Sequence, residues 1–112
     1  MSPLTASMAL RIALEDSQTI YFIKTNFSNP EQRPEIISWK WKSRNGAGYR
    51  WNVAIVEKPQ DSFNKKVELV NIALIEVDSL TGKILKRQFF RNIFAAEFKE
   101  KFYKEEMDKA LF

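Results

Sequence analysis

The segment Val67 to Val77 constrains this chain more than any other. Read at the period of two that a β-strand imposes, it is apolar on both sides. Val67, Leu69, Ala73, Ile75 and Val77 fall on one face, and Val70, Ile72 and Leu74 on the other. Such a strand belongs in the middle of a sheet. It runs into Asp78-Ser79-Leu80-Thr81-Gly82-Lys83, a tight hairpin loop in which Gly82 can supply a left-handed residue. Ile84 to Phe90 then reads as the returning last strand.

A second hairpin is predicted upstream. Ile37, Trp39 and Trp41 alternate with Ser38, Lys40 and Lys42. Asn45-Gly46-Ala47-Gly48 is turn chemistry, because Asn and Gly tolerate positive φ. From Tyr49 to Glu57 the alternation resumes, with Tyr49, Trp51, Val53 and Ile55 against Arg50 and Asn52. The expectation is a hairpin with its aromatic faces in register. Sequential hairpins require an antiparallel sheet.

Helical spacing brackets the strands. Ser2 can cap a first helix, with Pro3 at its first position, where the missing N–H costs nothing. Leu4, Met8 and Ile12 repeat at four-residue intervals, and Ala6, Ala9 and Ala13 would let the helix approach a sheet closely. The helix is expected to end near Asp16-Ser17. The β-branched and aromatic content of Ile20-Tyr21-Phe22-Ile23 favours a strand, although four apolar residues do not fix the period. The stretches 27–34 and 58–65 read as connectors. At the far end, Asn92 reads as an N-cap for a helix with Phe94, Phe98 and Phe102 on one row and Tyr103, Met107 and Leu111 on a second. Glu–Lys pairs four residues apart support it. Runs of strands flanked by helices predict an α+β fold. It has an N-terminal helix on an antiparallel sheet of four to five strands and a C-terminal helix, all in one domain spanning 1–112, with helices on one face.

Composition sets the chemistry. The 112 residues include nine Phe, three Trp and three Tyr, ample material for a core. There is no Cys and no His. That excludes disulfides, thiol nucleophiles, Cys/His zinc sites and a Ser-His-Asp triad, along with the commonest general base near neutral pH. The acids near the strands, Glu57, Asp61, Glu68, Glu76 and Asp78, form no fixed pair. No cofactor and no metal site is expected, and the chain does not read as an enzyme. The N-terminus has no basic region followed by an apolar one, and no apolar run is long enough to span a bilayer, so a cytoplasmic location without membrane contact is the expectation.

Net charge is +4 and uneven. Residues 36–66 carry seven basic side chains against two acidic ones, which marks the middle hairpin as the place an anionic partner would prefer. The candidate binding residues are Lys40, Lys42, Arg44, Asn45 and Arg50, with the turn Ser43–Tyr49 as the tip. With Trp39, Trp41, Tyr49 and Trp51 they could form a stacking platform for a nucleic acid. Simple alternation argues otherwise, because it turns the rings into the core and the cations to the opposite, wet side. Tyr103, Met107 and Leu111 are candidate interface residues for a homodimer, since two apolar rows exceed what one sheet face needs.

Three features together resemble the PepSY-type domains: the Ala-spaced opening helix, the strand Tyr49-Arg50-Trp51-Asn52-Val53, and the hairpin Ile75-Glu76-Val77-Asp78-Ser79-Leu80-Thr81-Gly82-Lys83-Ile84-Leu85. The resemblance covers roughly residues 4–87. It implies a cystatin-like arrangement, a helix across a curled antiparallel sheet, and a non-catalytic role that is inhibitory or regulatory toward a protein partner. The sequence therefore points first to a protein-interaction module. Nucleic-acid binding through 36–66 and a small ligand-binding or enzymatic domain are the alternatives.

Overall fold

A computed structural model describes residues 3–42, 48–58 and 69–104, the last three by backbone alone. Helix α1 (Ala6–Glu15) leads directly into α2 (Ser17–Asn26). Four strands follow, β1 (Glu35–Lys42), β2 (Tyr49–Val56), β3 (Leu69–Asp78) and β4 (Ile84–Phe94). A short helix α3 (Ala95–Phe98) continues into a π-helical segment, Lys99–Lys104. The strands form one antiparallel meander in sequence order, so the α+β class is as expected. Among the described residues no helix is long and apolar enough to cross a membrane.

The start of α1 differs from expectation. Thr5 is the cap, its hydroxyl accepting from the Met8 amide at 3.3 Å. Ser2 lies outside the described residues. Pro3 precedes the helix, because the Leu4 amide is engaged with the Ser79 carbonyl at 2.8 Å and holds this stretch extended. Ala9 and Ala13 are fully buried, so the helix does approach the sheet through its small residues.

The segment Ile20–Ile23 is helical, not a strand. Asp16 both ends α1 and caps α2. Its carboxylate accepts from the Thr19 amide at 3.0 Å and the Thr19 hydroxyl at 2.9 Å. Thr19 and Phe22 turn inward while Tyr21 stays 71% exposed. A cap outweighed the strand propensity of four residues.

The sheet is covered on both sides, contrary to the expected single helical face. On the α1/α2 side lie Trp51, Val53, Ile55, Ala73, Ile75 and Val77. On the other, Ala54, Val56, Val70, Ile72 and Leu74 pack against Phe98 of α3. β3 is therefore buried from Val70 to Val77, as its double apolar pattern demands. Each buried Val, Ile or Leu of this strand contributes roughly 1.5–3 kcal/mol.

The β3–β4 loop closes as its sequence specifies. The Leu80 amide donates to the Asp78 carboxylate at 2.8 Å, the Gly82 amide to the Asp78 carbonyl at 2.9 Å, and Gly82 takes φ 73°. Beneath it Ser79, fully buried, accepts from the Tyr49 amide at 3.0 Å and donates its own amide to the Tyr49 carbonyl at 3.0 Å.

β4 runs four residues past its predicted end. Asn92 is not a helix cap but a left-handed residue (φ 52°) within the strand, where the β3–β4 register shifts between Val70 and Ile72. Its amide donates to the Asn71 side chain at 3.2 Å. Phe94 thus belongs to β4, Phe98 to α3, and the Phe102 side chain lies outside the described residues. The continuous phenylalanine row of one helix is not formed.

Candidate functional site

The hairpin β1–β2 carries the predicted binding residues, and its register reverses their expected arrangement. Pairing Trp41 with Tyr49 would have gathered every ring on one face. The ladder instead pairs Trp41 with Arg50, Lys40 with Trp51 and Trp39 with Asn52. This is one residue out of that register, and one residue moves a whole strand's side chains to the other face. Tyr49 and Trp51 therefore lie on the α1 side, where both donate to the Leu4 carbonyl, from Oη at 2.9 Å and Nε1 at 2.8 Å. Trp39 packs on the α3 side.

As a result, cations and rings share faces. Lys40 Nζ lies 4.6 Å from the Tyr49 ring centroid and 5.3 Å from that of Trp51. The Arg50 guanidinium sits 4.9 Å over the Trp41 ring and donates to the Glu76 carboxylate. It is 12% exposed, and its charge is met by a carboxylate that is 8% exposed. The expectation that alternation keeps cations away from rings is overturned. Tyr49, Trp51 and Trp41 are capped by the protein's own cations and Trp39 packs on the α3 side, so the rings do not stand open as a platform. Lys40 and Lys42 are exposed. Arg44 and Asn45 lie outside the described residues, as do the Tyr103 side chain, Met107 and Leu111.

The acids hold the fold together. Glu57, 7% exposed, accepts from the Ser28 amide and from the backbone and side-chain amides of Asn71, the latter two at 3.0 Å. Glu76 meets Arg50, and Asp78 shapes the β3–β4 loop. Asp61 and Glu68 lie outside the described residues. Among the described residues, no three acids converge as metal ligands. Asp16 bonds Arg87 through both oxygens, at 3.0 and 2.7 Å, which lowers its pKa from 3.8 to about 2. The bonds from Thr19 add to this effect.

Sequence reasoning missed a groove of about 320 Å³ between α2 and β4. Gln18, Tyr21, Phe22 and Asn26 line it from α2, and Phe89 and Arg91 from β4. Phe22 and Phe89 stack, with centroids 4.7 Å apart and planes at 26°. Phe22 is buried, while Tyr21 and Phe89 are 71% and 36% exposed. Among the described residues no carboxylate lines the groove. Arg91 is exposed and makes no ion pair among the described residues. β4 is an edge strand, with no strand paired to its outer side among the described residues. The signal was hidden because Tyr21 sat in a segment read as a strand. Phe89 meets it only through tertiary packing.

No family model, curated protein or solved structure matches this chain.

Proposed function

We propose that this chain is a non-catalytic protein-interaction module, inhibitory or regulatory in the manner of PepSY-type domains and working in the cytoplasm. The observation that carries this reading is the open aromatic surface of Tyr21 and Phe89 beside a strand edge that no described strand pairs with. Exposed apolar surface next to free backbone hydrogen-bonding groups is how sheet proteins take up partners. Among the described residues the groove offers Arg91 and Tyr21 but no carboxylate, which disfavours the enzymatic alternative. The nucleic-acid alternative loses support because Glu76 neutralises Arg50 and α1 and Lys40 cover Trp51.

The test is photo-cross-linking in the source cells, with benzoylphenylalanine replacing Tyr21, Lys42 or Lys86 in turn. A discrete adduct with another polypeptide from any of these positions is the expected result. Absence of such an adduct at all three would overturn the reading.

A further inference from the structure

We infer that the α2–β4 groove and the outer edge of β4 form one docking surface for an extended acidic peptide that carries an aromatic side chain two residues from a carboxylate. The inference rests on the interaction-module reading and specifies its site and its partner's chemistry.

Three observations converge. First, β4 is an edge strand with no strand on its outer side among the described residues, so its backbone can pair with an added strand. Second, the groove beside it is apolar and ring-lined, with Phe89 and Tyr21 presenting open surface over a stacked, buried Phe22. An aromatic side chain of an added strand fits there by stacking. Third, the charge is one-signed. From Lys83 to Phe94 the chain carries Lys83, Lys86, Arg87 and Arg91 and no acid. Arg87 is committed to Asp16, whereas Arg91 lines the groove without an ion pair among the described residues. Phe89 and Arg91 are two apart on the strand and both line the groove. Side chains two apart on a pairing strand share a face in the same way. A ligand's aromatic residue and its carboxylate at that spacing meet Phe89 and Arg91 together.

The same charge rules against a second copy of this chain as the occupant. Two-fold antiparallel pairing of β4 with its copy, centred between Gln88 and Phe89, would set Lys86 of each copy opposite Arg91 of the other, and like charges across a ladder are destabilising. Edge cations of this kind keep identical edges apart. An acidic strand converts the repulsion into attraction.

The test uses the full chain and a fluorescein-labelled peptide of about eight residues, one Phe flanked by Glu on both sides, with a Lys-for-Glu peptide as counterpart. The expected result is that the Glu peptide binds at least about tenfold more tightly than the Lys peptide, and that Arg91→Glu and Tyr21→Ala each weaken it about tenfold. Both positions are exposed, so both variants should fold. Backbone amide shifts should move from Lys86 to Phe90 and stay fixed at Lys42. Equal affinity for the two peptides, or no loss in Arg91→Glu, overturns the inference. So does a dimer in sedimentation that Arg91→Glu strengthens. Cross-links from Lys42 but none from Tyr21 or Lys86 would overturn this site while leaving the interaction-module reading intact.

Discussion

Asp16 and Arg87 join the α1–α2 junction to the edge strand β4 through two hydrogen bonds, Asp16 Oδ2 to Arg87 Nε at 3.0 Å and Oδ1 to Nη2 at 2.7 Å. The Arg87 hydrogen bond is the largest reason the Asp16 carboxyl titrates at about 2 and not at 3.8. A carboxylate with a depressed folded-state pKa stabilises the fold above its unfolded value, and that stability is lost as pH falls from 3.8 towards about 2. Asp16→Asn keeps an acceptor for Thr19 but loses the ion pair. It should cost about 1 kcal/mol at neutral pH, since Arg87 is partly exposed. Asp16→Ala also removes the cap and should cost about 1 kcal/mol more. Urea unfolding at neutral pH and at about pH 2 checks both, because most of the Asp16→Asn deficit should be gone at the acid end, where Asp16 is half protonated in the folded chain.

Glu57 gathers amides from two directions, Ser28 after α2 and Asn71 in β3. Glu57→Ala leaves buried donors without acceptors and should cost about 3 kcal/mol. Glu57→Gln retains one acceptor oxygen and should cost less than Glu57→Ala. Denaturation midpoints of the two variants make the comparison.

Asn92 holds a left-handed backbone at the irregularity in β4. Asn92→Gly should leave stability nearly unchanged, whereas Asn92→Val should cost about 1–2 kcal/mol, because a β-branched side chain is strained at that φ. A thermal scan of the pair separates backbone strain from loss of the side chain.

Lys40 lies over Tyr49 and Trp51, while Lys42 is exposed one turn of the pleat beyond. Lys40→Met should cost about 0.5–1 kcal/mol, and Lys42→Met should stay within about 0.5 kcal/mol of the unmodified chain. Equal effects at the two positions would remove the ring contact as an explanation.

Much of this fold is written in local periodicity. The double apolar pattern of β3 and the Asp78–Lys83 loop chemistry could be read directly, because both depend on neighbours in the chain. The hairpin register could not. Whether Trp41 meets Tyr49 or Arg50 turns on a single residue of loop geometry, and either choice satisfies the alternation of each strand alone. The same holds for α2. Asp16 marks the end of α1 in local pattern, and nothing local announces that the same carboxylate starts the next helix. The groove was the least legible feature, since it exists only where Phe22 and Phe89 come together across the fold.

The meander β1-β2-β3-β4 also bears on how the chain assembles. Each strand pairs with its predecessor, so pairing can proceed in the order of synthesis without waiting for a distant segment. β4 docks last. Until it does, β3, the most apolar strand, has one open flank. The window between emergence of β3 and arrival of β4 is therefore when a nascent chain is most exposed to misassociation, and truncation before Ile84 should convert a folding protein into an aggregating one.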